Sequence, residues 1–183
     1  MPPHARYRLR RLSNVRGEGP TLRAEATTIC QGANVNPLFP NVKRTFAEIE
    51  PAMVAHPAFQ RIVATFRAAA GLHPDAPGGV DAHAIRTLAV PGSAGEPAPE
   101  GIPRDGRRVL GIFVVSRRGL RGGATELHAA RDGAAPPLFR AELQPGQGVV
   151  VNDREGGVFH YTAQIQAASQ HANGTRDVIV LLC

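Results

Sequence analysis

The sequence predicts a mainly β protein of α+β composition, a jelly-roll barrel with N-terminal helices buttressing one sheet. Three observations carry this. After residue 81, seven short β-prone runs recur, each closed by a turn-rich break. Between Pro57 and Gly71, the apolar residues Phe59, Ile62, Val63 and Phe66 fall at i, i+3, i+4 and i+7, one helical stripe suited to packing on a sheet. The 20 Gly and 16 Pro among 183 residues are many for a helical protein and suit short strands joined by turns.

Residues 6–12 alternate basic and apolar side chains, the pattern of a half-buried strand, and 13–20 read as a polar, Gly-rich loop. Residues 27–31 are β-prone and lead into the Asn- and Pro-containing run 34–46. From Glu48 to Gly71 the pattern is helical: Pro51 suits a helix start, Pro57 begins a second helix after a break at His56, and Gly71 suits the residue just past its end. Residues 73–79 form a Pro/Gly linker. The expected strands are then 82–90, 109–117, 124–130, 138–143, 148–152, 158–165 and 177–183, separated by turns at 116–123, 131–137, 144–147, 153–157 and 166–175. A jelly roll is the double-sheet way of arranging such strands. Residues 1–81 are expected to wrap a core formed by 82–183. Neither part looks able to bury its apolar face alone, so residues 1–183 read as a single domain.

Hydrophobic content of 43% and charged content of 20% are those of a soluble globular chain. The net charge of +6 favours anionic partners. Arginine far outnumbers lysine, which fits a GC-rich coding bias and lowers the weight of the excess. There is no basic run with interleaved aromatics and no zinc-finger or helix-turn-helix spacing, so nucleic acid is not an expected partner. Cys30 and Cys183 make neither a disulfide framework nor a metal knuckle. No signal peptide or run of membrane length is seen, which reads as a cytoplasmic protein with a small-molecule substrate; homodimerisation is left open.

The segment Pro97-Ala98-Pro99-Glu100-Gly101-Ile102-Pro103-Arg104-Asp105-Gly106 lies between two strand-like runs. His160 follows Asp105 by 55 residues and Arg176 follows His160 by 16. Strand, acidic turn, strand, histidine and arginine in this order resemble the iron(II)/2-oxoglutarate dioxygenases, and most closely the small bacterial subgroup that includes isoleucine 4-hydroxylase. There the turn reads roughly Pro-Glu-Gly-Ile-His-Arg-Asp-Gly. The Arg-Tyr-Arg segment near the N-terminus, the Gly122-Gly123 pair and the Arg176-Asp177 pair also match that subgroup.

The resemblance implies a double-stranded β-helix of the cupin-like kind, with Fe(II) and 2-oxoglutarate as cofactors and an amino acid or small metabolite as substrate. It makes Asp105 and His160 metal ligands and gives Arg176 the distal carboxylate of 2-oxoglutarate, because a planar guanidinium matches a carboxylate bidentately. Gln31, Asn36, Arg44, Arg86 and Glu100 become candidates for substrate binding. The sequence departs from the subgroup at one position: the expected first iron ligand, a histidine, is Pro103. Non-haem iron sites need two imidazoles and a carboxylate, and proline offers no donor. His83, His128 and Glu100 are the candidates for a substitute. The alternatives to an oxygenase are a metal-independent enzyme and a catalytically silent binding barrel derived from the same family.

Overall fold

The computed structural model describes residues 7–33, 38–99, 107–154 and 156–183. In chain order these contain β1 (Arg8–Arg16), a 3₁₀ turn (Gly19–Thr21), β2 (Arg23–Glu25), β3 (Thr28–Ile29), β4 (Arg44–Thr45), α1 (Pro51–Val54) and α2 (Pro57–Ala70). There follow β5 (Val80–Ala89), β6 (Val109–Arg118), β7 (Leu120–Gly122), β8 (Thr125–His128) and β9 (Phe139–Ala141). The chain ends with β10 (Gly148–Asn152), β11 (Phe159–Thr162), β12 (Ile165–Ala167) and β13 (Gly174–Leu182).

An antiparallel six-stranded sheet in the order β10-β6-β13-β5-β1-β2 forms one wall. Opposite it lie the three-stranded sheet β11-β8-β9 and the pair β12-β7. Two antiparallel layers joined by crossovers are the jelly roll expected from the sequence, with helices on one side. No helix among the described residues is long and apolar enough to cross a membrane.

The large sheet has two working faces, because successive side chains of a strand point to opposite sides. On the outer face, Ala82, Phe113, Ile179 and Leu181 meet Phe59, Val63, Phe66 and Ala70 of α2, with Val15, Leu22 and Ile49 from the N-terminal part in the same cluster. His56 caps α2 by accepting from the Ala58 N–H, and Gly71 ends it in the left-handed region (φ 62°). Arg67, 4% exposed, donates to the carbonyls of Gly17 and Val15, which ties the helix to the end of β1. On the inner face, Ile85, Val114 and Val178 pack with Leu143.

The structure differs from the sequence expectation at three places. β1 continues through Arg16 where a loop was expected, because its second half pairs with both β5 and β2 and buries Val15 completely. The expected turn 116–123 contains β7, whose partner is β12. The expected strand 158–165 divides into β11 and β12, which pair with different strands, β8 and β7.

Candidate co-substrate and metal pocket

Between the two layers is a cavity of about 80 Å³. Its wall on the large sheet is built row by row. Thr87 lies opposite both Arg8 on β1 and Arg176 on β13, so these three side chains share a face. The next rows place Ile85 opposite Arg10 and Val178, then His83 opposite Leu12 and Val180. Arg8, Arg10, His83, Thr87 and Arg176 all line the cavity. His160 and Thr162 reach it from β11 in the facing layer.

Arg176 is 2% exposed. Its Nη2 donates to Thr125 Oγ1 at 3.4 Å, and its Nε has no hydrogen-bond partner among the described residues. Burial, and then the charge of Arg117, lower its pKa to about 10. Arg117 Nη2 donates to the Gly122 carbonyl at 2.7 Å and to Glu142 at 3.0 Å, so that arginine already has a carboxylate partner. A register shift between β13 and β6 at Asp177/Val178 lets both Val114 and Arg117 face inward, with Val115 as the extra residue between them. Gly123 makes room for the arginine stem: a Cβ there would stand 2.7 Å from Ile165 Cγ2 and 3.4 Å from Arg176 Cδ, and its φ of 77° also favours glycine.

At the other end, His160 Nδ1 lies 3.7 Å from Asp153 Oδ1, and Asp153 is 1% exposed. Asp153 Oδ2 accepts from the Arg107 N–H at 3.1 Å. The carboxylate thereby links β11 to the residue that directly follows the segment 100–106. That segment holds Glu100, Pro103 and Asp105, which lie outside the described residues, as does Asn36. Among the described residues no group of three or more His, Cys, Asp or Glu side chains could hold a metal ion.

Of the remaining candidates, Gln31 lines the cavity and Arg44 donates to its Oε1 at 2.5 Å. His83 is 1% exposed, and its Nδ1 has no hydrogen-bond partner among the described residues. Burial, followed by the charges of Arg10, Arg8, Arg44 and Arg107, holds its pKa well below the ordinary histidine value. Two candidates face away. Arg86 follows Ile85 on β5, so it points to the outer side, where it grips Asp177 with two bonds of 2.7 and 2.8 Å. His128 pairs across with Phe159 while His160 pairs with Leu127, which sends the two histidines to opposite faces. The His128 Nε2 sits 3.2 Å from Glu126. Alternation along a single strand could not be phased from sequence, and one residue of phase separates each of them from the cavity.

Sequence reasoning did not single out Asp153, and it left the 6–12 strand that carries Arg8 and Arg10 evenly open between a solvated edge and a substrate-facing wall, because the inward side of the alternation was unknown. The apolar member, Leu9, turns out to be 57% exposed. Asp153 resembled any turn former at the start of the turn-rich break 153–157.

A family model for 2-oxoglutarate/Fe dioxygenases matches residues 1–182. Among solved structures, a bsmA homologue from Methylobium petroleophilum PM1 is 27% identical with a TM-score of 0.71, covering 96% of this chain and 71% of its own. IDO from Bacillus thuringiensis is 15% identical with a TM-score of 0.69, covering 96% and 75%, and has the same fold. The Fe(II)/α-ketoglutarate-dependent dioxygenase TqaL is 13% identical with a TM-score of 0.66, covering 100% and 68%. No curated protein matches the chain by sequence. With a family model spanning all but its last residue, the chain belongs to the 2-oxoglutarate/Fe dioxygenase family, and that membership implies Fe(II) and 2-oxoglutarate as its cofactors.

Proposed function

We propose that the cavity binds 2-oxoglutarate with its distal carboxylate on Arg176, and that the chain oxidises an amino acid or a similarly small metabolite. The observation that supports this most directly is the buried guanidinium itself. Among the described residues no carboxylate pairs with Arg176, and its Nε is left without an acceptor. A buried charge without a counter-ion costs several kcal/mol. A ligand carboxylate removes that cost and matches the planar fork. Thr125 holds the guanidinium from behind, Gly123 leaves space for its stem, and Ile85, Val178 and Val180 keep the approach dry. The donor set therefore fits the co-substrate.

The iron fares differently. His160 presents one imidazole to the cavity, and Asp105 is the candidate carboxylate in the neighbouring segment. Position 103 supplies nothing, since a proline side chain has no donor atom wherever it sits. The family's two imidazoles and one carboxylate are therefore not all present at their usual positions. The same gap favours a second reading: a family member that keeps the acid-binding barrel and has given up metal chemistry. Anaerobic titration with Fe(II) and 2-oxoglutarate separates the two. An oxygenase gives the visible charge-transfer band of the chelate at stoichiometric iron. A barrel without metal chemistry binds the acid and shows no band.

A further inference from the structure

His83 is a polar side chain on an otherwise apolar row of the large sheet. From β1 to β10 that row reads Leu12, His83, Val180, Ile112 and Val149. The ring is 1% exposed and lines the cavity, and its Nδ1 has no hydrogen-bond partner among the described residues. A buried polar group without a partner destabilises the fold, and a polar ligand atom in the cavity removes that penalty. Burial, followed by the charges of Arg10, Arg8, Arg44 and Arg107, keeps the imidazole neutral, so it offers one N–H and one lone pair. Arg8 and Arg10 line the same cavity but have interactions of their own and take no part.

Arg176 lies opposite Thr87, and His83 stands on the same strand as Thr87, two inward-facing rows away. That displacement along the strand, with one strand crossed, puts the backbone positions of Arg176 and His83 about 14 Å apart. Both side chains face the cavity. An extended five-carbon diacid has its carboxyl carbons about 5 Å apart, and its outer oxygens add about 1 Å at each end. A hydrogen bond of about 2.8 Å at each end then sets the two donors about 13 Å apart, which matches the rows. Ile85 and Val178, on the row between, line the cavity where the carbon chain would lie. We infer that His83 is the second anchor of the acid: its N–H binds the oxo-acid end of 2-oxoglutarate while Arg176 holds the distal carboxylate. This rests on the proposed reading of Arg176. Held at both ends by side chains of the sheet, the acid needs no metal to be oriented.

Calorimetry on the full chain without added metal tests this, with 2-oxoglutarate and butyrate as probes. Butyrate keeps one carboxylate and an apolar chain and lacks the oxo-acid end. The wild type should bind 2-oxoglutarate at least about ten-fold tighter than butyrate, the worth of one hydrogen bond to a charged group. His83→Leu suits the apolar row and should fold; it should bring 2-oxoglutarate down to the affinity of butyrate and leave butyrate unchanged. His83→Gln, which keeps an N–H, should retain part of the difference. Arg176→Lys should weaken both acids. Equal affinity of the two acids for the wild type would overturn the second anchor, and that comparison needs no variant. A parallel loss of both acids in His83→Leu, as a merely structural role would give, would overturn it too, as would an undiminished preference for 2-oxoglutarate there. Binding of neither acid by the wild type would overturn both anchors. A preference for 2-oxoglutarate that depends on His83, with both acids bound equally well by Arg176→Lys and the wild type, would sink the Arg176 reading alone.

Discussion

His83 shows at the scale of one residue how burial and like charge act together. Desolvation and four surrounding arginines favour its neutral form, so its folded-state pKa lies below the unfolded value near 6.5. Between those two values the unfolded chain binds a proton that the folded chain refuses. Stability is therefore intact above about pH 6.5 and falls as the pH drops below it, by at most about 1.4 kcal/mol per pH unit from this group. Urea unfolding from pH 7.5 to 5 should show that slope, and His83→Gln should flatten it. An identical slope in the variant would assign the acid sensitivity to other groups. Residue types at this site were readable from the sequence, but their directions were not. Arg86 and His83 sit three apart on one strand, and only the pairing with β1 and β13 reveals which faces the cavity.

At the scale of elements, α2 and the large sheet define the outer core. Phe66 is fully buried and lies against Gly111 of β6, where an added Cβ would stand 2.7 Å from Phe66 Cδ2 and 2.8 Å from Phe113 Cε2. Phe66→Ala should cost about 3–5 kcal/mol in chemical denaturation. Gly111→Ala forces two packed rings to move and should cost about 1–3 kcal/mol. Both changes lie on the side of the sheet away from the cavity, so 2-oxoglutarate affinity at a temperature where the protein is folded should be little altered. The helix itself was legible because its stripe, its proline start and its closing glycine agree. β7 was not, since three residues flanked by glycines look like a turn until β12 pairs with them. The division of 158–165 into two strands was equally hidden, because β-propensity says nothing about which partner a strand takes.

For the molecule as a whole, the barrel was legible in the number and spacing of its β-prone runs, and the order of Asp105, His160 and Arg176 pointed to the family. Two of those three lie in described elements, and both line the same cavity. Whether the basic side of β1 faces the cavity or solvent was evenly open in the sequence, because it depends on how an N-terminal strand joins the sheet at β5. Pro103 is the departure from the subgroup turn that bears most directly on the proposed metal reading. Pro103→His should raise Fe(II) affinity by at least 10-fold, since changes outside the ligand shell alone are worth about 10–100-fold. Equal affinity in a folded variant would mean that position 103 does not face the metal. The central claim, that the cavity ends in a carboxylate site made by Arg176, is tested most directly by calorimetric titration of 2-oxoglutarate into metal-free wild type and Arg176→Lys. One-to-one binding by the wild type, weakened roughly ten-fold or more in the lysine variant, which keeps the charge but loses the two-pronged geometry, is the expected result. Equal affinities in the two proteins, or no binding in either, would contradict it.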